Sequence, residues 1–221
     1  MIRSIDIESL KFLQSEFKAS SDNLLFFKYF VKLSPRGVAV ELGAGFGLGT
    51  VYLAKRYPQA TIVAVEYQRP LYELLLKNLQ LNGVENVKPL LCDVRQIEKC
   101  LEPQIADVVY SNPPFWRKEF LKNTRKGEIY IKANYEVETT YRDFLKAAKY
   151  LLKSSKRFFF MFETARLVEV ICELKQLKFT PKRLQFVYPR KGKNSHVFFV
   201  ESVLGGKGGH LKVEEPLEST P

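Results

Sequence analysis

Cysteine is scarce in this 221-residue sequence, and Cys92, Cys100 and Cys172 show no C-x-x-C spacing. An odd, scattered set excludes a structural zinc site and a disulfide framework, and predicts a reduced, cytoplasmic protein without metal. Histidine is scarcer still: His196 and His210 both lie late in the chain, and no hydride-transfer set accompanies them, which argues against a nicotinamide enzyme. No apolar run reaches the roughly 20 residues that a membrane span requires. Met1 to Ser20 mixes charged and apolar residues, so a signal peptide is not expected.

What is present is a strong positive balance, unevenly placed. The net charge is +11, yet residues 1–93 carry 11 Lys/Arg against 9 Asp/Glu, and residues 142–193 carry 14 against 4. A small anionic ligand does not need so many dispersed cations, whereas a nucleic acid uses them. An apolar content of 46% and an aromatic content of 13% fit a folded domain with a substantial core.

The hydrophobic pattern alternates short buried strands with helices. Two helices are expected near residues 7–18 and 22–33, the second capped at Asp22 and Asn23. Strands follow at 38–42, 61–65, 87–92, 105–110, 156–162, 179–187 and 196–203, the last two forming an antiparallel hairpin, with helices near 48–56, 70–81, 140–152 and 165–177. This is an α/β pattern: one domain over residues 1–204, then a Gly-rich tail, 205–221, expected to be mobile. The simplest assembly is a monomer.

Three strands end in informative residues. The first runs into Gly43-Ala44-Gly45-Phe46-Gly47, where glycines let the chain turn tightly and let a ligand lie against the backbone. The second ends at Glu66, about 20 residues on, where an acid is placed to bind both hydroxyls of a ribose. The third ends at Asp93. In a parallel sheet these ends lie side by side at the ligand-binding edge.

The fourth strand delivers Ser111-Asn112-Pro113-Pro114-Phe115 to that edge. Two prolines stiffen the turn and push the preceding residues towards extended geometry. Asn112 Oδ1 and the Pro113 carbonyl become two fixed acceptors beside the ring of Phe115, a set that suits a planar group carrying an NH2. Residues 116–138 follow, too long for a short βα connection. Cations there interleave with aromatics, among them Trp116, Arg117, Lys118, Lys122, Arg125 and Lys126, as a nucleic-acid backbone and stacked bases demand. Arg190, Lys191 and Lys193 make the last hairpin turn basic as well.

The segments quoted resemble those of class I S-adenosylmethionine-dependent methyltransferases. Val40-Glu41-Leu42-Gly43-Ala44-Gly45-Phe46-Gly47 resembles that family's first motif, and Ser111-Asn112-Pro113-Pro114-Phe115 its N-P-P-[YF] motif, found in enzymes that methylate exocyclic or amide nitrogens. The resemblance implies a Rossmann-like fold: a seven-stranded, mostly parallel sheet, antiparallel at its last strand, with helices on both faces. It implies S-adenosylmethionine held by Glu41, Gly43, Ala44, Gly45, Glu66, Tyr67, Cys92, Asp93, Val94 and Asn112, and catalysis at Asn112, Pro113, Pro114 and Phe115. The loop after the motif and the Pro181–Arg190 segment look like the bacterial enzymes that methylate N6 of the adenine just 3′ of the anticodon of a valine tRNA. The implied partner is therefore a tRNA anticodon loop. The Arg and His that such loops carry before a Glu are replaced here by Asn134 and Tyr135 before Glu136. A glutamine-amide methyltransferase of a protein substrate shares the motif, as do amino-methyltransferases of other RNA or DNA bases.

Overall fold

The computed structural model describes residues 2–15, 18–121 and 126–219. Its N-terminus corrects the helix expected over residues 7–18, of which residues 16 and 17 lie outside the described set. A hairpin stands there: β1 (Arg3–Ile7) pairs antiparallel with β2 (Leu10–Gln14), Ile5 opposite Phe12 and Ile7 opposite Leu10. Period two decides the matter, because Ile5, Ile7, Leu10 and Phe12 share one face and pack on the core. Glu8 makes the turn with φ +54°.

Helix α1 (Ser21–Leu25) runs directly into a π-helical turn, Phe26–Phe30, and Val31 is extended. Its cap is Ser20, two residues before the expected Asp22, and its Oγ accepts the Asn23 N–H. Phe26 and Phe30 are fully buried, their rings 5.1 and 5.4 Å from that of Phe199, so the all-round apolar character of this segment reflects burial.

The central sheet contains β3 (Val38–Leu42), β4 (Thr61–Glu66), β5 (Val87–Leu91), β6 (Ala106–Ser111), β7 (Leu152–Glu163), β8 (Phe179–Tyr188) and β9 (Val197–Leu204). Their spatial order is β8-β9-β7-β6-β3-β4-β5, and β9 runs antiparallel to both its neighbours. Around the sheet lie α2 (Leu48–Arg56), α3 (Arg69–Leu81), α4 (Glu128–Asn134), α5 (Tyr141–Leu151) and α6 (Leu167–Gln176). The two hydrophobic clusters divide the alternating residues of the strands: Ala39 and Tyr110 belong to one, Val40 and Val109 to the other. This is the expected Rossmann-like α/β fold.

Two further expectations are corrected. The tail after Gly205 lies along the sheet edge, where β10 (Lys212–Val213) and β11 (Leu217–Glu218) pair parallel to β8 and bring the sheet to nine strands among the described residues. Cys92 and Cys100 form a disulfide, so the chain is not fully reduced. The 3₁₀ segment Val94–Lys99 folds back between them and brings their Cα atoms to 6.6 Å. Cys172 is free and exposed.

Candidate active site

The glycine turn after β3 is built on backbone conformations that a side chain would strain. Gly43 has φ +75° and Gly45 has φ +59°. A Cβ at Gly43 would come within 3.2 Å of the Phe144 ring, across the cleft that both residues line. The N–H groups of Gly43 and Ala44 both donate to the Val65 carbonyl, at 3.0 and 2.9 Å, tying the turn to the end of β4.

Glu66 completes that tie. Its Oε2 accepts the Gly45 N–H at 2.8 Å, and its Oε1 accepts those of Tyr67 at 2.9 Å and Gln68 at 2.8 Å. Burial raises its carboxyl above the ordinary range, and the three amide hydrogen bonds oppose the rise. One carboxylate therefore shapes the wall of the cleft from two strand ends. Gly43, Gly45, Glu66 and Tyr67 line one side of this cleft, and Cys92, Val94, Asn112 and Pro114 continue it.

Three residues expected on the cofactor lie apart from those walls. Glu41 is fully buried beneath the turn, accepting the hydroxyls of Thr50 and Tyr110. Burial drives its carboxyl up to about 8, against both hydrogen bonds. Ala44 is buried in the core behind the turn. Asp93 caps the 3₁₀ segment and is paired with Arg95; burial raises its carboxyl, but the hydrogen bonds and charge of Arg95 outweigh that and hold it below the ordinary range. Residues not foreseen fill in: Gln68 follows Glu66, Lys132 and Ala133 come from α4, and Thr139 and Phe144 come from around the start of α5. Helix α4 lay hidden in what reads as a loop. Its signal was the helical spacing of Ile129 and Ala133, both packed on the core, and the Glu128–Lys132 pair at i, i+4.

Asn112 is shared between two cavities. It lines the cleft just described and also a second one, bounded by Asn23, Pro113, Phe115, Lys126 and Tyr130 among others. Asn112 Nδ2 donates to Asn23 Oδ1 at 3.0 Å, while Asn112 Oδ1 is buried and has no hydrogen-bond partner among the described residues. Phe115 stands edge-on to Trp116 and to Phe162, both at 5.9 Å.

The excursion after the motif is closed at its base. Trp116 N–H donates to the Asn134 carbonyl at 3.0 Å, and the Trp116 carbonyl accepts the Glu136 N–H at 2.8 Å. The buried Arg166 guanidinium clamps both ends, reaching Glu136 Oε2 at 2.6 Å and the Phe115 carbonyl at 3.3 Å. Of the cations expected on RNA, Arg117 is paired with Glu169, Lys118 is exposed and Lys126 borders the second cavity with its ammonium 5.1 Å from the Tyr130 ring. Lys122 and Arg125 lie outside the described residues. Arg190, Lys191 and Lys193 are exposed in the turn between β8 and β9.

The profile of the TRM5/TYW2 methyltransferase domain matches residues 29–150, from the π-helical turn to α5. The chain belongs to this family. A tRNA1(Val) (adenine(37)-N6)-methyltransferase of Pseudoalteromonas translucida is 27% identical over 161 residues, 73% of this chain and 66% of that protein. A tRNA (guanine-N(7)-)-methyltransferase of Lactiplantibacillus plantarum is 26% identical over 136 residues, 61% and 58% of the two chains. This chain thus spans less than two thirds of the length of each of these relatives, 66% and 58%. The structure of M. jannaschii TYW2 in complex with AdoMet superposes with a TM-score of 0.64 at 18% identity, covering 92% of this chain and 86% of that one, and so shares the fold. The matching profile is that of a methyltransferase domain, and the TYW2 structure holds AdoMet.

Proposed function

We propose that this chain is a tRNA methyltransferase that methylates the exocyclic N6 of an adenine, the adenine just 3′ of the anticodon of a valine tRNA being the first candidate. The observation that carries this reading is the buried Oδ1 of Asn112, without a hydrogen-bond partner among the described residues, at the boundary between two cavities. A buried acceptor left unmade costs about 1–3 kcal/mol, and an amine N–H entering the second cavity relieves that cost.

The cleft suits the cofactor: Gly43 and Gly45 leave the backbone bare, Glu66 offers a carboxylate with one lone-pair site beyond its three amide bonds, and Tyr67, Cys92 and Val94 supply apolar and aromatic surface. Bound there, S-adenosylmethionine supplies an electrophilic methyl group on sulfur. This chain's share is positioning and polarisation. Asn112 Oδ1 and the Pro113 carbonyl accept the two N–H bonds of the amine and draw its lone pair out of conjugation with the ring. Phe115 sets the height of the base by stacking. The stiff Pro113-Pro114 turn keeps both acceptors in register. No strong general base is needed, because the amine becomes acidic as it is methylated and releases its proton to water.

An acceptor at Asn112 favours an amine over guanine N7, which carries no hydrogen and is itself an acceptor. The relatives' names support a tRNA, as does the cationic turn at Arg190, Lys191 and Lys193. Mass spectrometry of nucleosides from unmodified tRNA incubated with protein and S-adenosylmethionine tests the proposal. N6-methyladenosine is expected, and Asn112→Ala should abolish it while cofactor affinity stays within a few-fold. Methylguanosine as the product, or turnover that survives Asn112→Ala, would sink it.

A further inference from the structure

We infer that Asn23, on the first turn of α1, is a positioning residue that sets which way the Asn112 amide faces. The inference rests on the reading of Asn112 as the acceptor of the substrate amine.

The two residues are 89 positions apart, yet Asn112 Nδ2 lies 3.0 Å from Asn23 Oδ1. Asn23 is itself oriented by its own helix cap. Its backbone N–H donates to Ser20 Oγ at 3.2 Å, and the Ser20 hydroxyl donates to Asn23 Oδ1 at 2.9 Å. The chain of donors therefore has a consistent sense. It begins at a backbone amide, which can only donate, passes its polarity through one hydroxyl, and ends with a side-chain carbonyl facing Asn112. An amide NH2 is the group of Asn112 that answers a carbonyl. Its Oδ1 then faces the other way, where it has no partner among the described residues. A second link holds the turn in place: Asp22 Oδ2 lies 2.9 Å from His196 Nε2, at the start of β9. Ser20, Asp22, Asn23 and Asn112 all border the second cavity, so the cap is part of its wall.

The orientation matters because the two ends of an amide do opposite things to an amine. Oδ1 withdraws the amine's lone pair from the ring, whereas NH2 in the same place competes for that lone pair and repels the N–H groups. Among the described residues only Asn23 hydrogen-bonds the Asn112 amide, so without it the fraction of molecules in the productive orientation falls.

Two substitutions separate this role from packing. Asn23→Asp keeps shape and presents only acceptors, so it still demands the NH2 of Asn112. Asn23→Leu fills the same space with no acceptor. With unmodified tRNA and S-adenosylmethionine, kcat should fall at least tenfold in Asn23→Leu and stay within about threefold of wild type in Asn23→Asp. The KM for S-adenosylmethionine should hold in both. A packing role would instead lower both variants in step with their melting temperatures. The amide can also be watched directly: the Asn112 side-chain ¹⁵N–¹H pair, assigned by its loss in Asn112→Ala, should keep its shifts in Asn23→Asp and lose them in Asn23→Leu. Unchanged Asn112 shifts in Asn23→Leu, or equal losses of kcat in the two variants, would overturn the inference. If the wild-type chain methylates no tRNA, the reading of the site fails, and the resonances alone then decide whether Asn23 orients Asn112.

Discussion

Glu66 Oε2 holds the Gly45 N–H at 2.8 Å, so one buried carboxylate fixes the backbone of a glycine turn that starts 23 residues before it. Its other oxygen serves two more backbone amides. Removing the carboxylate therefore takes away the support of the turn together with the cofactor contact proposed for Glu66. Glu66→Ala should weaken S-adenosylmethionine binding by tenfold or more, about 1.4 kcal/mol, as read by calorimetry. Unchanged affinity would take Glu66 out of the cofactor site.

Glu41 gives a pH signature. Its ordinary value is 4.5 and burial lifts it to about 8 in the folded chain. Between those values the folded state carries a proton that the unfolded state has released. Stability should accordingly fall as pH rises from about 5 to 8, with this residue contributing a slope of up to about 1.4 kcal/mol per pH unit. Glu41→Gln keeps shape and an acceptor for Thr50 and Tyr110 but does not titrate. Urea unfolding at pH 5.5 and pH 8 should show a smaller difference for the variant than for wild type; equal differences would refute the assignment.

The Arg166–Glu136 pair is buried on both sides, with side chains 7% and 9% exposed. Glu136→Gln leaves the guanidinium with Glu169 and the Phe115 carbonyl but removes its most buried counter-charge. Loss of about 2 kcal/mol is expected, seen as a melting temperature lower by about 4–8 °C. Because Glu136 and Phe115 flank the excursion after the motif, limited proteolysis between residues 116 and 136 should also speed up. A variant that melts like wild type would show that the pair is not a strut.

The proposed function puts RNA against the exposed turn at Arg190, Lys191 and Lys193. Reversing Lys191 and Lys193 to Glu should weaken tRNA binding and reduce the slope of log affinity against log salt by about 1–2, as each lost phosphate contact releases fewer counterions. The melting temperature should hold. A salt slope equal to that of wild type would place the RNA elsewhere.

The cleft's centre was readable in the sequence because its signals are local. A strand that runs into Gly43 and Gly45, an acid at the next strand end and a Pro-Pro turn after Asn112 each declare themselves within a few residues. What was not readable depends on contacts between distant segments. The hairpin of β1 and β2 carries apolar residues that also fit a helical period, and its hold on α3 comes from Asn78 and Asn82, which bond the backbone of Leu13 and Lys11 across more than sixty residues. Glu41 reads as a cofactor acid by its place beside the glycines, but Thr50 and Tyr110 claim it from below. The Asn23–Asn112 bond leaves no mark in either neighbourhood. Helix α4 is not legible in sequence because its seven residues lie amid many cations and only their packing against the core marks them as a helix.

The short strands β10 and β11 have a bearing on behaviour at high concentration. An outermost strand with free amides and carbonyls invites another molecule to continue the ladder. Here the ten-residue β8 is met on its open side by Lys212–Val213 and Leu217–Glu218. At the opposite margin β5 carries Lys88 and Pro89, a charge and a missing N–H. Both flanks of the sheet are thereby guarded against self-association through edge pairing, and truncating the chain before Leu211 would unguard one of them.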